Sequence, residues 1–597
     1  MVDLVVVAAA LAGLYQVRSA SAGGLALLAP GLLAVAVALL ATRLLMPVAA
    51  AIGHRALTAG RLGTGLTGVY LARRPGLHRV AALLAVAVAL LGTALLGWGG
   101  ADRAAGDRAA QELGADRVLT VQAHSRAHLL AAVRAADPAG HGAMAVVQAS
   151  ANTAGRGALL VDTTRLAAVA RWRPEYGSAG AVAALLRPPA PPPIVARGDG
   201  LRLDLTRRAA PSAGTPVAVL ASLAGPRGDE VTALFGPLAP GRRTYAAATP
   251  GCAAGCRLVS FTLLEPVADA ALRRPAGAGA AVTLHRLDQS GPDAAVLDEA
   301  GFTDRTRWRP GIDPTGAGLV IATDPAGLAL TVTGSVPPPL RRDTRVYVLD
   351  APLPLPALTA GDLRLPALVG DDRITAFADA PIPVHVGGHT GLLPRLGREG
   401  VLLDLEYADR AGADFGGGDV LQVWLTSAAP ERFADRLAAE GVQTVAAESV
   451  TGLAERYRRQ GTPVALRFQL LVAAGGVLLA AGTVGIVAAV ERRPRAAELA
   501  ALRAQGASAA VVRSAARGGY AVLVTVSTVV GLVAVVLARF LATAPLPVFV
   551  DGWRVLPTHG LPRPLPLAVA AVATAAVLAA TAAIAASLLV RRIRRPL

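Results

Sequence analysis

Lysine is absent from this 597-residue chain; all 58 basic residues are arginine. That absence removes several chemistries at once. A Walker A loop, a Schiff-base lysine and a kinase lysine each need an ammonium on a flexible stem, and arginine's planar fork does not replace it. Nucleotide hydrolysis by a P-loop is therefore excluded, and no enzymatic activity or cofactor is expected of this chain. Aromatic residues are scarce at 4%, and charged residues make up 17%, against about 25% in soluble domains. Mean hydropathy is +0.50, a balance foreign to wholly soluble or disordered chains. Cysteine is nearly missing too: Cys252 and Cys256 stand alone in PGCAAGCRL. Two thiols without a nearby histidine fall short of the four ligands of structural zinc, so no metal site is expected. The pair reads as a small loop-closing disulfide in an oxidising compartment, with a redox pair as the alternative.

The formal net charge is +17, and its placement matters more than its size. Between positions 100 and 466, 37 Arg face 37 Asp plus Glu, so the middle of the chain is neutral. The excess lies in the apolar ends. Residues 46–79 carry five Arg and no acid, residues 491–520 carry six Arg against two Glu, and the tail RRIRRPL adds four Arg. Each piece abuts an apolar run, which is the positive-inside pattern of cytoplasmic loops. A nucleic-acid face would interleave basic and base-stacking groups on a soluble domain. No stretch does so, and nucleic acid is not an expected partner.

A bilayer core of ~30 Å takes about 20 apolar residues in a helix. Five runs reach that length, 24–47, 80–98, 468–490, 520–541 and 565–590, preceded by a shorter one at 4–15. With the basic segments inside, one path fits: the 24–47 span returns inward, 80–98 exits, a large domain follows outside, and three more spans end with the Arg-rich tail inside. Arg43 and Arg539 lie near span ends, where their heads can snorkel. Acids or histidines at span centres would mark an ion-coupled carrier, and none is found. Stretches such as GGVLLAAGTVG (475–485) offer small residues for close helix approach.

Between the spans, ADRAAGDRAAQEL reads as a helix leaving the membrane, closed by Gly114 and followed by a strand, with a helix at 127–135. Near the far end GVLLDLEYAD and VLQVWLTS read as strands, PERFADRLAAEGV as a helix closed by Gly441, and SVTGLAERYRRQG as one closed by Gly461. From about 200 to 355, LRLDLTR, PVAVLASL, RLVSFTLLE, AAVTLHRLD, LALTVTG and RVYVLD are short strands between Gly, Pro and Asp turns. The expected fold class is a multi-pass α-helical membrane protein with a large extracytoplasmic α+β domain containing an inserted β-sandwich. Its parts are two helices and a linker at 1–78, a span at 79–99, α+β segments at 100–199 and 356–466, the sandwich at 200–355, and three spans at 467–597.

Catalytic constellations are weak. His124 and His128 stand in HSRAH, without the glutamate of a metalloprotease helix. His385 and His389 share the spacing in HVGGH, where two glycines argue for a loop; solvated histidines are the better reading of both pairs. Asp371, Asp372 and Glu399 fall in Gly- and Pro-rich turns, where acids serve local hydrogen bonds.

The most informative segment is ERRPRAAELAALRAQGASAAVVRSAARGGY, 491–520. Glu498, Leu499 and Leu502 share a helical face, Gly506 breaks the helix and Ser508 can cap the next. A short amphipathic helix on the inner membrane surface, then a sharp turn, is a docking element. The segment resembles the FtsX-like permeases of ABC transporters, the MacB and lipoprotein-release type, whose corresponding loop carries E-R-R-x-E-[IL]-[AG]-x-L-[RK]-[AS]-[IL]-G-[AS]. Here the matching residues are Glu491, Arg492, Arg493, Glu498, Leu499, Leu502, Arg503, Ala504, Gly506, Ala507 and Ser508, with four residues between the basic pair and Glu498 where the motif has one, and Gln505 at a usually apolar place. The layout of one span, a large outside domain and three spans also matches, over about 79–597, and residues 1–78 look like the end of a preceding copy in a tandem permease. The resemblance implies a bacterial plasma-membrane permease with a coupling loop at 491–519. A separate cytoplasmic ABC ATPase dimer would bind the ATP and dock on that loop. It implies export or mechanical work on lipids, lipoproteins, peptides or regulators of cell-wall hydrolases, with membrane lipid and an extracytoplasmic protein or lipoprotein as further partners. The alternative is a membrane-anchored receptor or adhesion protein whose β-sandwich binds glycan or peptide.

Overall fold

The computed structural model describes residues 25–149, 157–208, 216–266, 274–311, 318–333, 343–361, 367–368, 371–374, 382–412, 419–541 and 564–594, with single positions 8, 12, 15 and 549. The chain forms two units, Met1–Arg108 with Ala454–Leu597, and Ala109–Leu453.

The first unit is helical, as long apolar runs without acids require. Among the described residues five stretches are long and apolar enough to cross a membrane: Ala29–Thr58, Gly76–Leu113, Pro463–Ala504, Ala509–Phe540 and Ala571–Arg591. The protein is a multi-pass membrane protein. The 4–15 run lies outside the described residues apart from helical positions 8, 12 and 15. The basic 46–79 stretch is a helical hairpin, Leu45–Thr58 and Leu62–Arg73, turned at Gly60 with φ +72°. Its helices cross at glycines, since a Cβ on Gly68 would lie 2.6 Å from the Gly53 Cα.

Alanine dominates the contact among the Leu25–Arg43, Pro75–Leu113 and Ala509–Leu541 helices, where Ala34, Ala38, Ala85, Ala89, Ala534 and Ala538 are fully buried. Small side chains let these backbones approach closely. Gly531 fits against the Ala85 carbonyl and Gly92 against Val535, with no room for a Cβ at either. The 475–485 stretch does not play that part within the chain. Gly475, Gly476, Gly482 and Gly485 have open space where a side chain would go, because they sit on the side of their helix turned away from its neighbours.

The second unit, between the second and third spans, is α+β. A ten-stranded sheet runs in the order Ala367–Leu368, Asp371–Ile374, Ile382–Thr390, Leu355–Ala360, Gly400–Asp404, Gly157–Val161, Ala143–Ala149, Val420–Leu425, Arg117–Gln122, Gln443–Ser449. Two of its pairings are parallel, Leu355–Ala360 with Ile382–Thr390 and Gly400–Asp404 with Gly157–Val161. Ala143, Ala145, Val147, Leu160 and Leu403 are buried at its centre under the Arg126–Ala136, Leu405–Gly412 and Phe433–Ala439 helices. The strand GVLLDLEYAD continues as a strand only to Asp404. There the carboxylate accepts the Tyr407 N–H at 2.9 Å and starts the Leu405–Gly412 helix, as a capping acid does.

Within this unit two six-stranded sheets face each other across one core. One holds Gly200–Arg207, Gly241–Ala248, Ala281–Ser290, Ala294–Leu297, Leu319–Asp324 and Gly327–Val332; the other holds Val195–Ala196, Ala218–Ala224, Glu230–Phe235, Cys256–Leu264, Trp308–Pro310 and Arg345–Val348. Alternation does the sorting: Leu201, Leu203 and Leu205 point inward with almost no exposure, each contributing about 2 kcal/mol of burial. Phe302 stacks on Trp308 at 5.5 Å between ring centroids, with Phe261 beside both. Cys252 and Cys256 are joined in a disulfide, both sulfurs in this core.

Three local expectations change. His385 and His389 lie on the Ile382–Thr390 strand, not in a loop. Gly387 and Gly388 are there because Leu185 and Leu358 press on that strand, leaving 2.7 Å and 3.1 Å for a Cβ. Asp371 and Asp372 likewise open a strand, Asp371–Ile374, not a turn. Gly461 is the first residue of the 44-residue helix Gly461–Ala504 and not the stop of the preceding one.

Candidate functional site

The segment that resembles the coupling loop lies in the first unit. A separate short helix was expected there, but Gly461–Ala504 runs unbroken through Pro494. At ~1.5 Å per residue it is about 66 Å long, against ~30 Å of bilayer core. The apolar part ends near Val490, so the last fourteen residues, 491–504, extend beyond it.

The helix stops as the sequence says it should. Gly506 takes φ +97°, its N–H reaches the Arg503 carbonyl at 3.1 Å, and the Ala507 N–H reaches the Leu502 carbonyl at 3.0 Å. These two bonds are a Schellman ending, which satisfies carbonyls a helix end leaves open. The Ser508 hydroxyl accepts the Val511 N–H at 3.3 Å and caps Ala509–Leu541. Leu502 and Ala507 pack on the helical core beneath the turn.

The side chains of this segment divide between inside and outside. Leu499, read as a docking residue, is 6% exposed and belongs to the core of the first unit. Glu491 and Glu498 are engaged within the chain: Arg74 reaches Glu491 at 3.2 Å and Glu498 at 2.8 Å, and the Tyr70 hydroxyl donates to Glu491 at 2.5 Å. Such partly exposed pairs are each worth up to about 1 kcal/mol. Outward remain Arg493, Glu498, Arg503, Gly506 and Ser508, with Ala500, Ala501 and Ala504 between them, while Arg492 is half-buried.

Sequence reading missed Arg495, Tyr70, Arg74 and Tyr520. Arg495 is 3% exposed. Its guanidinium lies 3.3 Å from the centre of the Tyr70 ring and 5.1 Å from that of Tyr520, and it donates to the Ala515 carbonyl at 3.1 Å. The signal was present, since 491, 495, 498 and 502 recur at helical spacing on one face and 70 and 74 on another. What hid it was a separation of more than four hundred residues.

The other candidates resolve into structure. His128 opens the Arg126–Ala136 helix and its Nε2 lies 2.9 Å from the Glu440 carbonyl. His389 Nδ1 meets the Thr359 hydroxyl at 2.7 Å. Among the described residues no group of three or more His, Cys, Asp or Glu is placed to hold a metal. A cleft of about 230 Å³ lies in the second unit between sheet-packed helices and the sandwich, lined by Arg134, Arg257, Glu406, Asp409 and Arg410. Its charges largely serve each other. Arg134 and Arg187 reach Glu406 at 3.1 and 2.8 Å, Arg410 also pairs with it, and Arg257 reaches Asp350 at 3.1 Å.

The cleft's rim is tied across by backbone contacts, Ser125 Oγ to the Gly228 carbonyl at 2.9 Å and Arg309 to the Ala411 carbonyl at 2.6 Å. Chemically, then, the second unit offers a rigid ion-paired junction, and the first unit offers a capped helical turn with arginines and alanines outward. No family model and no curated protein matches this chain.

Proposed function

We propose that this protein is the permease subunit of an ABC complex. A separate cytoplasmic ATPase docks on the turn at 501–508, and the second unit works outside the membrane on a lipid, lipoprotein, peptide or cell-wall regulator. The observation that carries the reading is the Gly461–Ala504 helix. It continues for fourteen residues past its apolar part and ends in a doubly capped turn between Arg-rich segments. A helix that long and that firmly ended is a lever, and a lever at a cytoplasmic face needs a partner that moves it. The lack of any lysine fits, because the chain cannot bind nucleotide phosphates by a P-loop itself.

Because Leu499 faces inward, the test uses the outward residues. Ala501→Glu combined with Arg503→Glu should lower recovery of the ATPase by at least tenfold on purification of the tagged chain from its own membranes, with unchanged insertion. The partner is identified by its Walker sequence and by ATP hydrolysis in the purified complex. Undiminished recovery with the double variant would overturn the docking site. Absence of any ATPase with the parent chain would favour the anchored-receptor reading.

A further inference from the structure

A charge out of water is costly unless its surroundings replace the lost hydration. Arg495 is such a charge, and with its partners it joins three separate elements. Tyr70 belongs to the Leu62–Arg73 helix, Ala515 and Tyr520 to the Ala509–Leu541 helix, and Arg495 itself to the Gly461–Ala504 helix. The space it occupies is built for it. A Cβ on Gly519 would stand 2.4 Å from Arg495 Nη2, and one on Gly518 would stand 2.7 Å from the Thr67 hydroxyl. The two glycines of RGGY therefore let both the guanidinium and the Leu62–Arg73 helix seat against Ala509–Leu541. Tyr70 and Arg74, four residues apart, bind Glu491 and Glu498, which share the Arg495 face of that helix end.

We infer that Arg495 is a positioning residue that clamps the Leu62–Arg73 helix, the inward end of Gly461–Ala504 and the start of Ala509–Leu541 into one block. Moving any of the three away gives up contacts that stand in for the cation's hydration, so the three are favoured together as one block. Arg74 directly precedes Pro75, the first residue of the 39-residue helix that carries the second span. A push on the 501–508 turn therefore reaches two routes through the membrane, the helix it ends and the helix that follows Arg74. The clamp is a property of the first unit alone; what it transmits rests on the permease reading.

The test is a cross-link. Both native cysteines are already joined, so Gly63→Cys with Ser514→Cys adds the only free thiols. A Cβ at Gly63 lies 3.2 Å from the Ser514 Cβ, near the ~3.5–4.5 Å of a disulfide. Mild oxidation of the full-length protein in membranes should join the pair in most molecules, read by mass spectrometry of the linked peptides. Adding Arg495→Leu should cut the yield at least threefold, and Gly519→Ala, which leaves every charge in place, should cut it too. Arg495→Lys should restore more than half of the parent yield. An Arg495→Leu yield equal to the parent's overturns the clamp; if that variant does not insert, an unchanged yield with Gly519→Ala does so instead. Where an ATPase copurifies, Arg495→Leu should keep binding it yet lose at least fivefold of the chain-dependent stimulation of ATP hydrolysis, and unchanged stimulation overturns the positioning role. A parent chain that recovers no ATPase defeats the permease reading, while the cross-link yields still decide the clamp.

Discussion

Glu406 and Asp404, two residues apart, titrate in opposite directions. Burial alone would raise the Glu406 carboxyl, but Arg410, Arg187 and Arg134 outweigh it and bring it from 4.5 to about 2. Asp404 is pushed up by burial, against the hydroxyl of Thr163, the Tyr407 N–H and Arg187. A carboxylate held below its unfolded value adds stability that is complete above that value and disappears as pH falls through the folded one. Glu406 thus stabilises the second unit at neutral pH and ceases to do so between about pH 4.5 and 2. Asp404 has the reverse sign: it favours the folded state most below its unfolded value and loses that contribution as pH rises. Glu406→Gln leaves three arginines short of a counter-charge and should cost about 3 kcal/mol at pH 7. The difference from the parent should shrink towards pH 2, measured by denaturant unfolding of the purified chain followed by proteolysis. A difference that stays constant over that range would show that Glu406 is not held ionised by the cluster. At this scale the sequence was a partial guide. Glu498 and Leu502 could be placed on one face, but whether Leu499 faced water or a neighbour depended on a helix that the local pattern does not contain.

At the scale of elements, the turn at 505–508 was the most readable part of the molecule, because its instructions are local. Gly506 supplies a backbone region closed to β-branched residues, and Ser508 a cap. Gly506→Val should destabilise this ending by about 1–2 kcal/mol. Hydrogen exchange of the amides at 505–508 should then be about tenfold faster or more, with spans elsewhere unaffected; unchanged exchange would mean that the left-handed residue does not set the ending. The disulfide was readable from composition for a similar reason, as two thiols four apart have few other uses. Replacing Cys252 and Cys256 together by Ala should cost about 2 kcal/mol for so short a loop, seen as a lower midpoint in thermal unfolding without reductant. An unchanged midpoint would count against the bond as a stabilising one. The Ile382–Thr390 strand was harder. Its two glycines mimic a turn, and only Leu185 and Leu358 leaning on it reveal that they make room instead.

For the whole molecule, the spans and the large domain between them follow from run length and charge placement, quantities that sum along the chain. Strand order does not. Ala143–Ala149 lies beside Val420–Leu425, a partner on the other side of the entire sandwich sequence, and no periodicity encodes which distant strand fills that place. Sidedness is testable directly because the parent has no free thiol. Ser508→Cys should react with a membrane-impermeant maleimide only after the membrane is opened, whereas Asp293→Cys in the second unit should react in intact cells. Equal reaction of both in intact cells would defeat the topology and with it the permease reading.

Pro494 sits inside the Gly461–Ala504 helix and brings no N–H to the carbonyl four residues back, at Val490. One rung of the ladder is therefore missing at the point where the apolar part of the helix gives way to the part held by Arg495. A rod flexes most readily where it has lost a rung. The helix thus has a point of least stiffness fixed by covalent chemistry, with the arm gripped by Arg495 on one side and the apolar spanning arm on the other.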